Sequence, residues 1–116
     1  LDVMPTLVEL AGGEPARADF DGRSLARVLA GHATSARGDG EGVGMELLGS
    51  RAYFDGRWKV VRLRPPWGDG GWELYDLATD PAETRDVAAA NPGVVARLAT
   101  AWEAYAKRVG VVDVPA

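Results

Sequence analysis

The run Trp72-Glu73-Leu74-Tyr75-Asp76-Leu77-Ala78-Thr79-Asp80-Pro81-Ala82-Glu83-Thr84-Arg85-Asp86 passes from a strand signal through a capped turn into a helix start. Trp72 to Leu77, rich in large apolar and aromatic side chains and following a Gly- and Pro-rich tip, reads as a strand. Asp80 then supplies a cap, Pro81 the first helical position and Glu83 the third, close to a capping box for one helical turn. Strand and helix so near each other in sequence point to an α+β chain.

The upstream sequence supplies partners for that strand. Met45 to Leu48 and Arg51 to Phe54 are short apolar runs. Asp55-Gly56 is a two-residue hairpin signal of the type that needs positive φ at both central positions. Trp58-Lys59-Val60-Val61-Arg62-Leu63 is the return strand, and Pro65-Pro66-Trp67-Gly68-Asp69-Gly70-Gly71 forms a wide tip before Trp72. The expected result is an antiparallel meander of three to four strands. Downstream, Asn91-Pro92 opens a helix with Val94, Val95, Leu98, Ala101, Trp102, Tyr105 and Val109 at helical spacing. Arg97, Glu103, Lys107 and Arg108 take its other side, and Gly110 ends it. This long C-terminal helix is expected to lie across the meander, with Trp58, Leu74, Tyr75, Leu98, Trp102 and Tyr105 joining the two layers.

Two short helices precede the sheet. Asp2 caps the first, which carries Val3, Leu7, Leu10 and Ala11 on one stripe and stops at Gly12-Gly13. Ser24 caps the second, which carries Leu25, Val28 and Leu29 and stops at Gly31. Helices of about two turns do not persist alone in water, so both must pack on something larger. His32 to Gly44 has no apolar period and reads as a surface loop. The expected organisation is residues 1–44 as the edge of a larger, missing domain and residues 45–116 as a sheet-plus-helix subdomain. The chain starts without Met, directly on a helix cap, which predicts a piece of a longer polypeptide.

With 116 residues, 47% hydrophobic and 26% charged, the chain can build one modest core. Its net charge of -4 is spread among interspersed charges, with no basic face for nucleic acid or an anionic membrane surface. No apolar run approaches the ~20 residues that span a bilayer. The absence of cysteine removes disulfides and thiolate metal sites, and leaves cytoplasm and periplasm equally open.

Candidate chemistry is sparse. Asp76, Asp80, Glu83 and Asp86 form an acidic cluster, but it lacks the alternating oxygen ligands and central glycine of a calcium loop, and capping accounts for Asp80 and Glu83. Ser24, Ser35 and Ser50 have no histidine partner, and His32 stands alone in its loop. The glycines between Gly38 and Gly44 follow no strand and enter no helix, so they are a connection rather than a phosphate loop. No catalytic, cofactor-binding or metal residue is assigned. The tip residues Trp67 and Asp69 remain as candidates for the edge of a cleft, Trp67 serving either there or as a cover for the core or a missing domain.

Several segments, in order, resemble the end of an arylsulfatase-type sulfatase of the alkaline-phosphatase-like superfamily. These are Asp2-Val3-Met4-Pro5-Thr6-Leu7, Phe20-Asp21-Gly22-Arg23-Ser24-Leu25, Glu46 to Ala52 with Gly56-Arg57-Trp58-Lys59, and Leu74-Tyr75-Asp76-Leu77 with Asp80-Pro81-Ala82-Glu83. The resemblance implies a C-terminal subdomain that packs on the catalytic domain and edges the substrate cleft of a sulfate ester hydrolase. It also implies a formylglycine and a calcium ion in the parent. The Cys/Ser-x-Pro-x-Arg motif that yields formylglycine is absent here, so neither cofactor is expected in this chain. Phosphonate or phosphate monoester hydrolases share the architecture, and a stand-alone α+β interaction module is the alternative from a different class.

Overall fold

The computed structural model describes residues 1–15, 19–38 and 40–112. The chain forms two compact units, Leu1–Gly38 and Asp39–Ala116.

The first unit holds helices α1 (Val3–Leu10) and α2 (Ala26–Leu29). Asp2 does not cap α1. Its own backbone is already helical, and its Oδ1 instead accepts from the Arg23 N–H at 2.8 Å and from Arg37 Nη2 at 2.5 Å. Burial works against that carboxylate's charge, but the Arg23 N–H and the Arg37 guanidinium prevail and lower its pKa. Thr6 links the helices: its hydroxyl donates to the Asp2 carbonyl at 2.5 Å and accepts from the Leu25 N–H at 2.8 Å. The face of α1 that becomes buried is Pro5 and Thr6. The apolar stripe expected to seek a partner surface, Val3, Leu7 and Leu10, lies exposed. The second helix is one turn rather than two, because the Ser24 hydroxyl takes the Ala26 N–H at 3.2 Å and Leu25 sits before the helix begins.

The second unit is a four-stranded antiparallel sheet in the order β1 (Val43–Leu47), β2 (Ser50–Asp55), β3 (Trp58–Arg62), β4 (Glu73–Asp76). A helical 3-10 turn (Ala88–Ala90) leads to helix α3 (Pro92–Val109), which Gly110 ends at φ 72°. The expected meander and long helix are present, with β1 starting two residues before Met45. Leu47 pairs with Ser50, so the first hairpin turns on Leu48 and Gly49, both at positive φ (51° and 81°). Asp55 pairs with Trp58, which places Gly56 and Arg57 at the centre of the second turn; Gly56 alone has positive φ there. The turn with two positive φ values is therefore at Leu48-Gly49, not at Asp55-Gly56.

Alternation along the strands sends Tyr53, Trp58, Val60 and Leu74 to the side of the sheet that α3 covers with Leu98, Trp102 and Ala106. Val60, Leu74 and Leu98 are fully buried and Trp102 is 2% exposed. Trp102 meets Trp72 at a ring separation of 6.4 Å, receives the Arg51 guanidinium over its face, and donates its indole N–H to the Met45 carbonyl at 3.1 Å. Gly44 lets β1 approach the helix, since a Cβ there would collide with the Tyr105 ring. Tyr75, expected in the core, points to the opposite face, one residue out of phase with Leu74.

That opposite face carries Met45, Leu47, Ala52, Phe54, Val61 and Leu63 around an open groove of about 330 Å³. Met45 is 55% and Leu47 73% exposed.

Candidate functional site

The connection from β4 to α3 is built on carboxylates. Arg57 clamps Asp76 through two guanidinium nitrogens, Nε lying 2.6 Å from Oδ1. That hydrogen-bonded guanidinium holds the Asp76 carboxyl below the ordinary value of 3.8. The Asp80 carboxylate accepts from the Thr84 N–H at 2.9 Å, from the Arg85 N–H at 2.9 Å and from the Thr84 hydroxyl at 3.0 Å. The two backbone N–H groups, Thr84 first, depress its pKa as well. Asp86 accepts from the Leu74 N–H at 2.9 Å and the Ala88 N–H at 2.8 Å, so it extends the β4 edge and starts the 3-10 turn. Glu83 pairs with Lys59.

This arrangement replaces the expected helical turn at Asp80-Pro81-Ala82-Glu83. Glu83 takes φ 54°, which breaks the helical path, and its carboxylate goes to Lys59 instead of back to the Asp80 N–H. Trp58, Asp76, Thr79, Asp80, Thr84, Arg85, Val87 and Asn91 surround an open hollow of about 410 Å³. Its two carboxylates are committed to Arg57 and to backbone donors. Among the described residues no group of three or more His, Cys, Asp or Glu is arranged to hold a metal ion.

The tip between β3 and β4 is ordered by its own backbone. Trp67 and Gly68 donate their N–H groups to the Arg64 carbonyl at 2.9 and 3.2 Å, and the Gly70 N–H reaches the Leu63 carbonyl at 3.1 Å. Arg62 Nε donates to the Gly70 carbonyl at 2.6 Å, and Asp69 Oδ1 accepts from the Gly71 N–H at 2.7 Å. On this frame Trp67 is 70% exposed, so it does not cover the small core. Arg64 reaches from the base of the tip to the Leu48 carbonyl at 3.3 Å, joining the tip to the exposed Leu47-Leu48 corner of the first hairpin. Sequence reasoning picked out Trp67 and Asp69 but not Arg62 and Arg64; their position at the end of β3, just before the Pro-Pro turn, was the signal available.

Elsewhere, His32 is exposed. Tyr75 donates its hydroxyl to Glu73 at 2.5 Å, and that hydrogen bond to a carboxylate, aided by desolvation, pushes the phenol up to about 12. No described helix is long and apolar enough to cross a membrane.

No protein-family model matches the chain. It is 30% identical over 123 aligned residues to an uncharacterized sulfatase of Schizosaccharomyces pombe, which it matches over 99% of its own length and 22% of the relative's. Among solved structures, BT33336S-sulf of Bacteroides thetaiotaomicron, from a locus for metabolism of multiple glycosaminoglycans, superposes with a TM-score of 0.71 and 26% identity over 90% of this chain and 24% of that one. BT4656, solved with its substrate D-glucosamine-2-N,6-O-disulfate, gives a TM-score of 0.62 at 21% identity over 91% of this chain and 23% of its own. The chain thus spans about a fifth to a quarter of the length of the proteins it matches. In sequence and in fold, the chain is homologous to the C-terminal portion of sulfatases.

Proposed function

We propose that the chain is the C-terminal subdomain of an arylsulfatase-like sulfuric ester hydrolase and that it docks on the catalytic domain through the open face of its sheet. The observation that carries this reading is the uncovered apolar face of Met45, Leu47, Ala52, Phe54, Val61 and Leu63. Such a surface is costly to leave in water, and a sheet face of this kind is normally a buried layer. Relatives four to five times as long have the chain to cover it. The exposed stripe of α1, with Val3, Leu7 and Leu10, fits the same need and supports reading the first helices as part of the edge of the catalytic domain.

Chemistry belongs to that larger domain. The cysteine-free chain has no formylglycine precursor motif. Its clustered carboxylates are held by Arg57, Lys59 and backbone N–H groups, a donor set that does not fit a calcium ion. The subdomain's part in turnover is to shape the cleft, with Trp67 and Asp69 at its edge. The relatives that act on sulfated saccharides favour a sulfate ester of that kind as the parent's substrate.

The test is complementation. The chain, purified alone, is mixed with the separately produced upstream remainder of its parent, and aryl sulfate hydrolysis is followed. Activity is expected only when both are present, and lost when Met45 and Leu47 are both changed to Lys. Full activity of the upstream part alone, or complementation indifferent to the double change, overturns the docking assignment.

A further inference from the structure

We infer that the hollow at the β4–α3 connection is a binding site for a neutral hydroxylated ring, a pyranose unit. Trp58, Thr79, Thr84, Val87 and Asn91 line one open space of about 410 Å³, a size that small-molecule sites share. Trp58 opens β3 and Asp76 closes β4, so the hollow lies at the ends of these strands away from Trp67 and Asp69.

The charges in its wall are spent on one another. Asp76 accepts from the Arg57 guanidinium and from the Ala78 N–H at 3.2 Å. Asp80 accepts from the Thr84 and Arg85 N–H groups, and the Arg85 charge balances its own. What is left for a ligand is uncharged. Asn91 gives Nδ2 to the Val87 carbonyl at 3.0 Å and keeps Oδ1 as an acceptor. The Thr84 hydroxyl donates to Asp80 at 3.0 Å and keeps its lone pairs, while that of Thr79 holds the Asp76 carbonyl only at 3.5 Å. The Trp58 indole N–H has no acceptor among the described residues, and no buried side-chain N or O atom among them lacks a partner, so this donor is open to solvent. A sugar hydroxyl both donates and accepts, which matches an open donor beside several open acceptors. Carbon atoms of Val87 and Trp58 supply the apolar contact for the C–H groups of the ring. The walls are held before a ligand arrives, by the Val87 N–H on the Leu74 carbonyl at 2.9 Å and by the bonds to Asp80, which lowers the cost of binding.

For the ring's membership of the parent's substrate this inference rests on the sulfatase reading; binding itself is tested on this chain. In an NMR titration with N-acetylglucosamine, on the order of 10 mM ligand suits an open site of weak affinity. Shifts are expected at the Trp58 indole N–H, the Asn91 side-chain amide and the Thr79 and Thr84 amides. They should persist at about 1 M sodium chloride, where exposed charge contacts are screened. Glycerol at the same concentration should move none of them. Trp58→Phe keeps most of the ring's packing and should weaken binding about fivefold, as expected for one neutral hydrogen bond. Thr79→Val, at an exposed position, should weaken it to a similar degree with the amides of Val60 and Leu74 unmoved. Unmoved signals around the hollow, equal shifts with glycerol, loss of the shifts in salt, or full affinity in both variants overturn the inference. Failed complementation with intact sugar binding rejects the sulfatase reading alone, and absent sugar binding leaves that reading to its own test.

Discussion

At the scale of single residues, Trp102 and Leu48 mark opposite extremes. Trp102 is 2% exposed, touches both layers and donates to the Met45 carbonyl, so Trp102→Ala removes packing from sheet and helix together and leaves that carbonyl without its donor. The expected loss is about 3–5 kcal/mol, read as a lower midpoint in urea with an unchanged slope. Leu48 is 72% exposed and held at φ 51°, where a branched apolar side chain is strained and an asparagine is at ease. Leu48→Asn should stabilise the chain by about 1 kcal/mol, seen as a higher thermal midpoint. Both effects depend on features of different legibility. The burial of Trp102 follows from helical spacing in the sequence, whereas nothing in the pair Leu48-Gly49 announces a turn with two positive φ values, because leucine is an unusual occupant. The Asp55-Gly56 signal drew the assignment to the neighbouring hairpin, where the turn centre is shifted by one residue.

At the scale of elements, the acidic connection between β4 and α3 makes its stability depend on pH. Asp76 and Asp80 have folded pKa values below the ordinary 3.8, so the contribution of their contacts is present above that value and is lost as pH falls through the depressed ones. Acidification below about pH 3.8 should therefore release the Thr84 and Arg85 amides before the sheet core melts, a sequence visible in amide exchange. Asp80→Asn should remove the acid sensitivity of those two amides; if they stay equally acid-sensitive, Asp80 is not the group responsible. The same connection shows where sequence stops informing. Asp80, Pro81 and Glu83 satisfy a helix-start pattern, but Lys59, 24 positions from Glu83 in sequence, outcompetes the local capping bond. The β-meander and α3 were legible because their periods of two and 3.6 repeat over many residues. The tip's guanidinium and the orientation of Tyr75 were not, since each depends on register or on tertiary neighbours. Tyr75 in particular stands next to Leu74 between Glu73 and Asp76, a pattern that does not alternate strictly and so permits either phase.

At the scale of the whole molecule, the two units should differ in persistence. Hydrogen exchange is expected to be fast throughout Leu1–Gly38, where α1 and α2 are short and bury few side chains, and slow at Val60, Leu74, Leu98 and Trp102. Uniform slow exchange would show that the first unit is self-sufficient. The purified chain should also fail to hydrolyse an aryl sulfate with or without added calcium. Turnover abolished by a substitution within it would reverse that conclusion. The bare side of the sheet has a further meaning for anyone handling the protein. Neighbouring positions on one strand answer to different demands: Val60 sets whether the chain folds, and Val61 beside it sets whether the folded chain stays dispersed. Charged replacements at Met45 and Leu47 should therefore raise the soluble concentration with little change in the melting temperature, giving a well-behaved free subdomain that has lost the ability to assemble.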